Sequence, residues 1–135
     1  MKFKFLLPAS VLVFTLIFSS CKKDDDNSSS SLTGTWSKPI TGSGMNYVIV
    51  IDDAAKTTQI GYNTGSGFTQ TATGSYTRTD SEISLTSSAP CPGVVGNYTY
   101  HVTSSSLTFT VVADVCTDGS TMRKDVIGNG NWVRQ

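Results

Sequence analysis

From Leu32 to Gln135 apolar and polar side chains alternate with a period of two. Tyr47, Ile49 and Ile51 interleave with Val48, Val50 and Asp52, and Phe68, Gln70, Ala72, Gly74 and Tyr76 oppose a row of Thr and Ser. Ile83 and Leu85, then Tyr98, Tyr100 and Val102, then Leu107, Phe109 and Val111 repeat the pattern. Such alternation puts one row of side chains on each face of a β-strand, and branched Thr, Val and Ile suit the pleated backbone. No stretch sustains the 3.6-residue spacing of a helix. Turn-forming clusters punctuate the runs, among them Asn63-Thr64-Gly65-Ser66-Gly67, Ser104-Ser105, Asp118-Gly119 and Asn129-Gly130. Eight strands are predicted, at about 33–38, 45–52, 56–62, 68–79, 82–88, 96–103, 106–113 and 130–134. Short loops join them in order, which describes an all-β, up-and-down antiparallel sheet. Eight strands can close into a barrel and remove both open edges. A β-sandwich of the same strands is the alternative. A parallel sheet is excluded, because no helical crossover is available.

The first twenty residues follow another pattern. Lys2 and Lys4 precede an apolar run from Phe5 to Phe18, and small Ser19-Ser20 lead to Cys21. A positive start, a short apolar stretch and small residues before a cleavage point make a secretory signal peptide over 1–20. The run is shorter than the roughly 20 residues of a spanning helix, and Pro8 interrupts it. Phe18-Ser19-Ser20-Cys21 resembles a bacterial lipobox, which implies lipidation of Cys21 and anchoring in a membrane. Cys21-Lys22-Lys23-Asp24-Asp25-Asp26 is similar to the sorting signal of surface lipoproteins in Bacteroidota-type bacteria; a solvated charge run is the other reading. The resemblance implies the outer membrane, at the cell surface rather than the periplasmic face. Residues 21–31 form a charged, Ser-rich tether, and 32–135 form the single domain that the length allows.

Ten basic and ten acidic side chains cancel over the whole chain. Removing Lys2 and Lys4 with the leader leaves eight basic and ten acidic groups, a net charge of −2. No nucleic-acid partner is expected, since binding that polymer needs a basic excess. A hydrophobic content of 38% is enough for a core and excludes a highly charged disordered chain.

Leu32-Thr33-Gly34-Thr35-Trp36 resembles the G-x-W opening of lipocalin-like barrels. That resemblance implies a barrel floored by Trp36 and covered by a basic residue of the last strand, Arg134 in Asn131-Trp132-Val133-Arg134. Cys91-Pro92-Gly93, Gly96-Asn97-Tyr98, Leu107-Thr108-Phe109-Thr110-Val111 and Asp114-Val115-Cys116 are similar to a pattern in small secreted bacterial lipocalin-like domains. Members often carry an Arg soon after the second Cys. Here Arg123 stands seven residues past Cys116, and no role follows for it.

A turn centred on Ser104-Ser105 sets Tyr98 opposite Val111 and brings Cys91 and Cys116 within two residues of register. In an oxidising compartment they are expected to form a disulfide. Zinc is the alternative, but two Cys and one His fall short of four ligands, and no metal or other cofactor is expected. No catalytic residue is expected either, so the protein reads as a non-enzyme. His101 alternates onto the outer face, Asp80 and Glu82 flank a turn, and no G-x-S-x-G is present. What remains is a row of aromatic residues on inward faces: Tyr47, Tyr62, Phe68, Tyr76, Tyr98, Tyr100 and Phe109. Such rings either line a pocket for a small apolar or amphipathic ligand or fill the barrel solid. Tyr47, Tyr76, Tyr98, Tyr100 and Phe109 are the candidate ligand contacts. A filled barrel would instead act as a surface interaction or structural module. A monomer is expected.

Overall fold

The structure is a computed structural model that describes residues 30–117, 123–128 and 130–135. The expected signal peptide, Cys21 and most of the expected tether lie outside the described residues, as do Asp118, Gly119 and Asn129 of the expected turns. Eight strands form a closed antiparallel barrel in chain order: β1 (Gly34–Pro39), β2 (Asn46–Asp52), β3 (Thr57–Asn63), β4 (Phe68–Arg78), β5 (Glu82–Ser87), β6 (Gly96–Val102), β7 (Ser106–Ala113) and β8 (Gly130–Arg134). The up-and-down barrel is the architecture that the alternation predicts, and each predicted strand lies within about two residues of its observed ends. Side chains close the turns. Asp52 Oδ1 accepts from the amides of Ala54 and Ala55, Asn63 Oδ1 from Gly65, and Thr103 Oγ1 from Ser105 and Ser106.

Tyr98 pairs with Val111 and Tyr100 with Phe109, as the Ser104-Ser105 turn requires. On β4 the alternation misleads. A register shift at Ile60/Gly61 leaves Thr71 without a partner, so Ile60 pairs with Ala72 but Gly61 with Gln70. Two residues face one at such a bulge, and every side chain beyond it changes face. Phe68 therefore lies outside, contrary to its expected inward position. Its ring packs on Gly61, where a Cβ would come within 2.8 Å of Phe68 Cε2 and would also strike the backbone oxygen of Thr69.

The sheet closes through only two Cα pairs between β1 and β8, Trp36 with Arg134 and Ser37 with Val133. Side chains reinforce this seam reciprocally. The Arg134 guanidinium lies 4.1 Å from the centre of the Trp36 ring, and Lys38 Nζ lies 5.0 Å from that of Trp132. Each strand gives the other one indole and receives one cation. Both indoles are fully buried, and each N–H donates to a backbone carbonyl, Trp36 to Leu32 and Trp132 to Ile127. Gly34 has a physical reason in the G-x-W opening. It sits at φ 147°, and a Cβ there would come within 2.6 Å of Arg134 Nη1.

The sequence gives no sign of α1 (Arg123–Ile127), a single turn and a half of helix lying across the mouth opposite Trp36. Five residues are too few to establish a period. Ile127, 1% exposed, points into the barrel and completes the core.

Candidate functional site

Three regions divide the barrel axis. At the floor, Arg134 covers Trp36 and donates to the carbonyls of Ser31, Thr33 and Ser104. Asp53 anchors the rest of the floor. It accepts from Arg78 Nε at 2.8 Å and Nη2 at 2.5 Å, from the Tyr76 hydroxyl at 2.8 Å and from Lys56 at 2.6 Å. Arg78 hydrogen bonds above all hold Asp53 well below the usual carboxylate range, and burial together with the Asp53 bond pushes the Tyr76 phenol up.

The middle is filled. Between Ile49, Ile51, Leu85, Tyr98 and Phe109 there is a cavity of only about 10 Å³, about enough for one water. The Thr58 hydroxyl faces this void and has no hydrogen-bond partner among the described residues. Of the candidate ligand contacts, Tyr76, Tyr98, Tyr100 and Phe109 all point inward and are buried, but they serve as core. Their polar atoms are engaged internally. Tyr76 donates to Asp53, Tyr98 to Asp114, and Tyr100 to the Thr79 carbonyl at 2.8 Å.

The opening lies at the α1 mouth. A cavity of about 440 Å³ separates the helix from the inner faces of β2, β3 and β4. Ile40 and Met45 from the β1–β2 loop, Ile60 and Ala72 from the sheet, and Val126 and Ile127 from α1 give it apolar walls. Tyr47 and Tyr62 are neighbours across β2 and β3 and stand at its edge. Of the five candidates, only Tyr47 lines this cavity.

Two cations hold the helix. Arg123 is 2% exposed and makes a bidentate pair with Asp114, Nε to Oδ2 and Nη2 to Oδ1, both at 2.8 Å. Its Nη1 donates to the Val94 carbonyl at 2.7 Å and to Ser87 Oγ at 3.3 Å. Asp114 also accepts from Tyr98 and from the Cys116 amide. Burial alone would raise the Asp114 pKa, but Arg123, Tyr98 and the Cys116 amide outweigh it and hold the carboxyl below its ordinary value. Burial and the bond to Asp114 push the Tyr98 phenol up. Gly96 leaves room for the pair, since a Cβ there would meet Asp114 Oδ2 at 2.7 Å and Arg123 Nη2 at 2.8 Å. Arg123, to which the sequence assigned no role, is the centre of this network. At the other end of α1, Lys38 Nζ donates to the carbonyls of Gly128 at 3.1 Å and Asp125 at 3.4 Å. Burial lowers its pKa, with Asp125 opposing.

Cys91 and Cys116 form the expected disulfide, with Cα atoms 5.6 Å apart. The bond clips the strand ends beside the Arg123–Asp114 pair. His101 is exposed on the outer face, and Asp80 and Glu82 are exposed at their turn. Among the described residues no group of three His, Cys, Asp or Glu is placed to hold a metal ion.

No family model, curated protein or solved structure matches the chain.

Proposed function

We propose that the protein is a lipid-anchored envelope lipoprotein, attached through Cys21 to the outer membrane and displayed at the cell surface, whose lipocalin-like barrel binds a small apolar or amphipathic ligand. The observation that carries the binding reading is the 440 Å³ cavity at the α1 mouth. It falls within the usual size of small-molecule sites, and its walls are largely apolar with a few polar groups. On this reading the ligand sits at the mouth rather than in the aromatic midsection, which is packed. Native mass spectrometry of the full chain from its host membrane tests both halves of the reading. It should show acylation at Cys21 and a co-purifying small molecule that is lost when Ala72→Leu narrows the cavity. A chain without acyl mass overturns the anchor. An Ala72→Leu protein that carries the same molecule at the same occupancy overturns the site.

An interaction module is the second reading, and the outer face favours it. Phe68, 41% exposed, borders a depression floored by Val48 and Val50. Phe68→Ser would weaken partner capture without touching the cavity, and an unchanged set of partners would argue against this reading.

A further inference from the structure

The five tyrosines divide into two groups by what their hydroxyls do. Tyr76, Tyr98 and Tyr100 spend theirs inside the fold. Tyr47 and Tyr62, side by side in register on β2 and β3, have phenol oxygens with no hydrogen-bond partner among the described residues, and both rings line the mouth cavity. Thr71 also lines it, but its hydroxyl is committed to the Ile60 carbonyl at 3.1 Å.

The charges nearby are equally committed. Arg123 is the cation in the cavity wall, and Asp114, Val94 and Ser87 engage its guanidinium. Lys38 lies beyond the face of Tyr47, 5.9 Å from the ring centre, and turns its ammonium onto the carbonyls that end α1. An anionic head entering here would lose hydration and meet, among the described residues that line the cavity, no uncommitted cation to replace it, at a cost far above that of a neutral group. A hydroxyl or carbonyl would meet two phenols, each able to donate and to accept.

We infer that Tyr47 and Tyr62 are the specificity-determining pair of the cavity, and that its ligand is a neutral, largely apolar molecule with a single hydroxyl or carbonyl head. This inference rests on the cavity reading above. The bulge at Ile60/Gly61 contributes to the arrangement. It sends Phe68 to the outside and leaves Ala72 and Thr71 behind the tyrosines, so that a small wall faces the ligand body.

The test uses three compounds of one shape: 2-naphthol, 2-naphthoate and 2-methylnaphthalene. Each is titrated calorimetrically into the full chain bearing Cys21→Ser, so that no acyl chain competes for the cavity. 2-Naphthol should bind most tightly. A net hydrogen bond of about 1 kcal/mol corresponds to roughly fivefold in affinity, so the margin over 2-methylnaphthalene should be about five- to twentyfold. Tyr47→Phe with Tyr62→Phe keeps both rings and should erase that margin while leaving 2-methylnaphthalene binding unchanged. Near-UV circular dichroism checks that the double variant is folded. Tightest binding of 2-naphthoate, or a margin that survives the double Phe variant, overturns the tyrosine inference. In either of those cases the cavity reading stands if Ala72→Leu weakens all three compounds. Absence of binding by every compound overturns the cavity reading and the inference with it.

Discussion

Buried Asp114 and Arg123 show how a single residue can matter more by its loss than by its presence. A buried ion pair gains little over an apolar pair of the same shape, yet removing one partner strands the other charge. Arg123→Ala should cost about 3–5 kcal/mol in urea unfolding, and Asp114→Ala should cost clearly less in the Arg123→Ala background than in the parent, the remainder being its bonds from Tyr98 and the Cys116 amide. Additive losses would contradict the pairing. The same residues set an acid limit. Asp114 and Asp53 ionise more readily in the fold than in the unfolded chain. Their stabilisation is complete above the unfolded carboxylate pKa, about 3.9, and disappears as pH falls through the lower folded values. Asp114→Asn should therefore reduce stability at neutral pH and flatten the decline below about pH 4. An acid limb as steep as in the parent would rule this out.

At the scale of elements, the bulge of β4 and the clip beside α1 carry separate expectations. Gly61→Ala cannot be absorbed by a side-chain rotation, because the new methyl would meet the backbone of Thr69 and the Phe68 ring. Thermal melting should show a loss of about 1–3 kcal/mol, the usual range for overpacking. An unperturbed Tm would place the bulge elsewhere. Cys91 and Cys116 are 25 residues apart. Chain entropy alone gives their bond about 3.5 kcal/mol, and a Cys91→Ser, Cys116→Ser protein should lose a comparable amount, measured against the parent in denaturant. The elements differ in how legible they are in the sequence. Alternating Tyr, Ile and Val fix the strands, and the Ser104-Ser105 turn fixes the β6–β7 register, since both signals are local. Phe68 is misplaced because a bulge depends on the close approach of Gly61 to the neighbouring strand, which no period reports. Arg123 is missed because α1 is too short to repeat, and because its pairing with Asp114 is a tertiary contact that no local period reports. The Tyr47–Tyr62 site is half legible. Its inward faces follow from alternation, but that the other tyrosines are occupied follows only from Asp53, Asp114 and Thr79.

At the scale of the whole molecule, the described residues form a ring of eight strands with no free edge, and its seam between β1 and β8 is held by few backbone pairs and two crossed indole–cation contacts. No strand leaves such a ring without breaking two ladders. Amides of β8 should exchange with the same free energy as those of β3 in the interior of the order, and faster exchange confined to β8 would mean that the seam frays alone. Replacing both Lys38 and Arg134 by Met should produce that fraying. Where the chain enters this ring has a further consequence. Ser31 gives its carbonyl to Arg134 at the floor, so the tether arrives at the end sealed by Trp36, while the cavity opens beneath α1 at the other end. If Cys21 carries the proposed anchor, the barrel would stand on the bilayer like a cup on its base. Its rim would then lie farther out by the height of a seven-residue strand, about 20 Å at ~3.3 Å per residue before tilt. Cargo would then come from the aqueous side, and a molecule already dissolved in the membrane would have to leave it to enter.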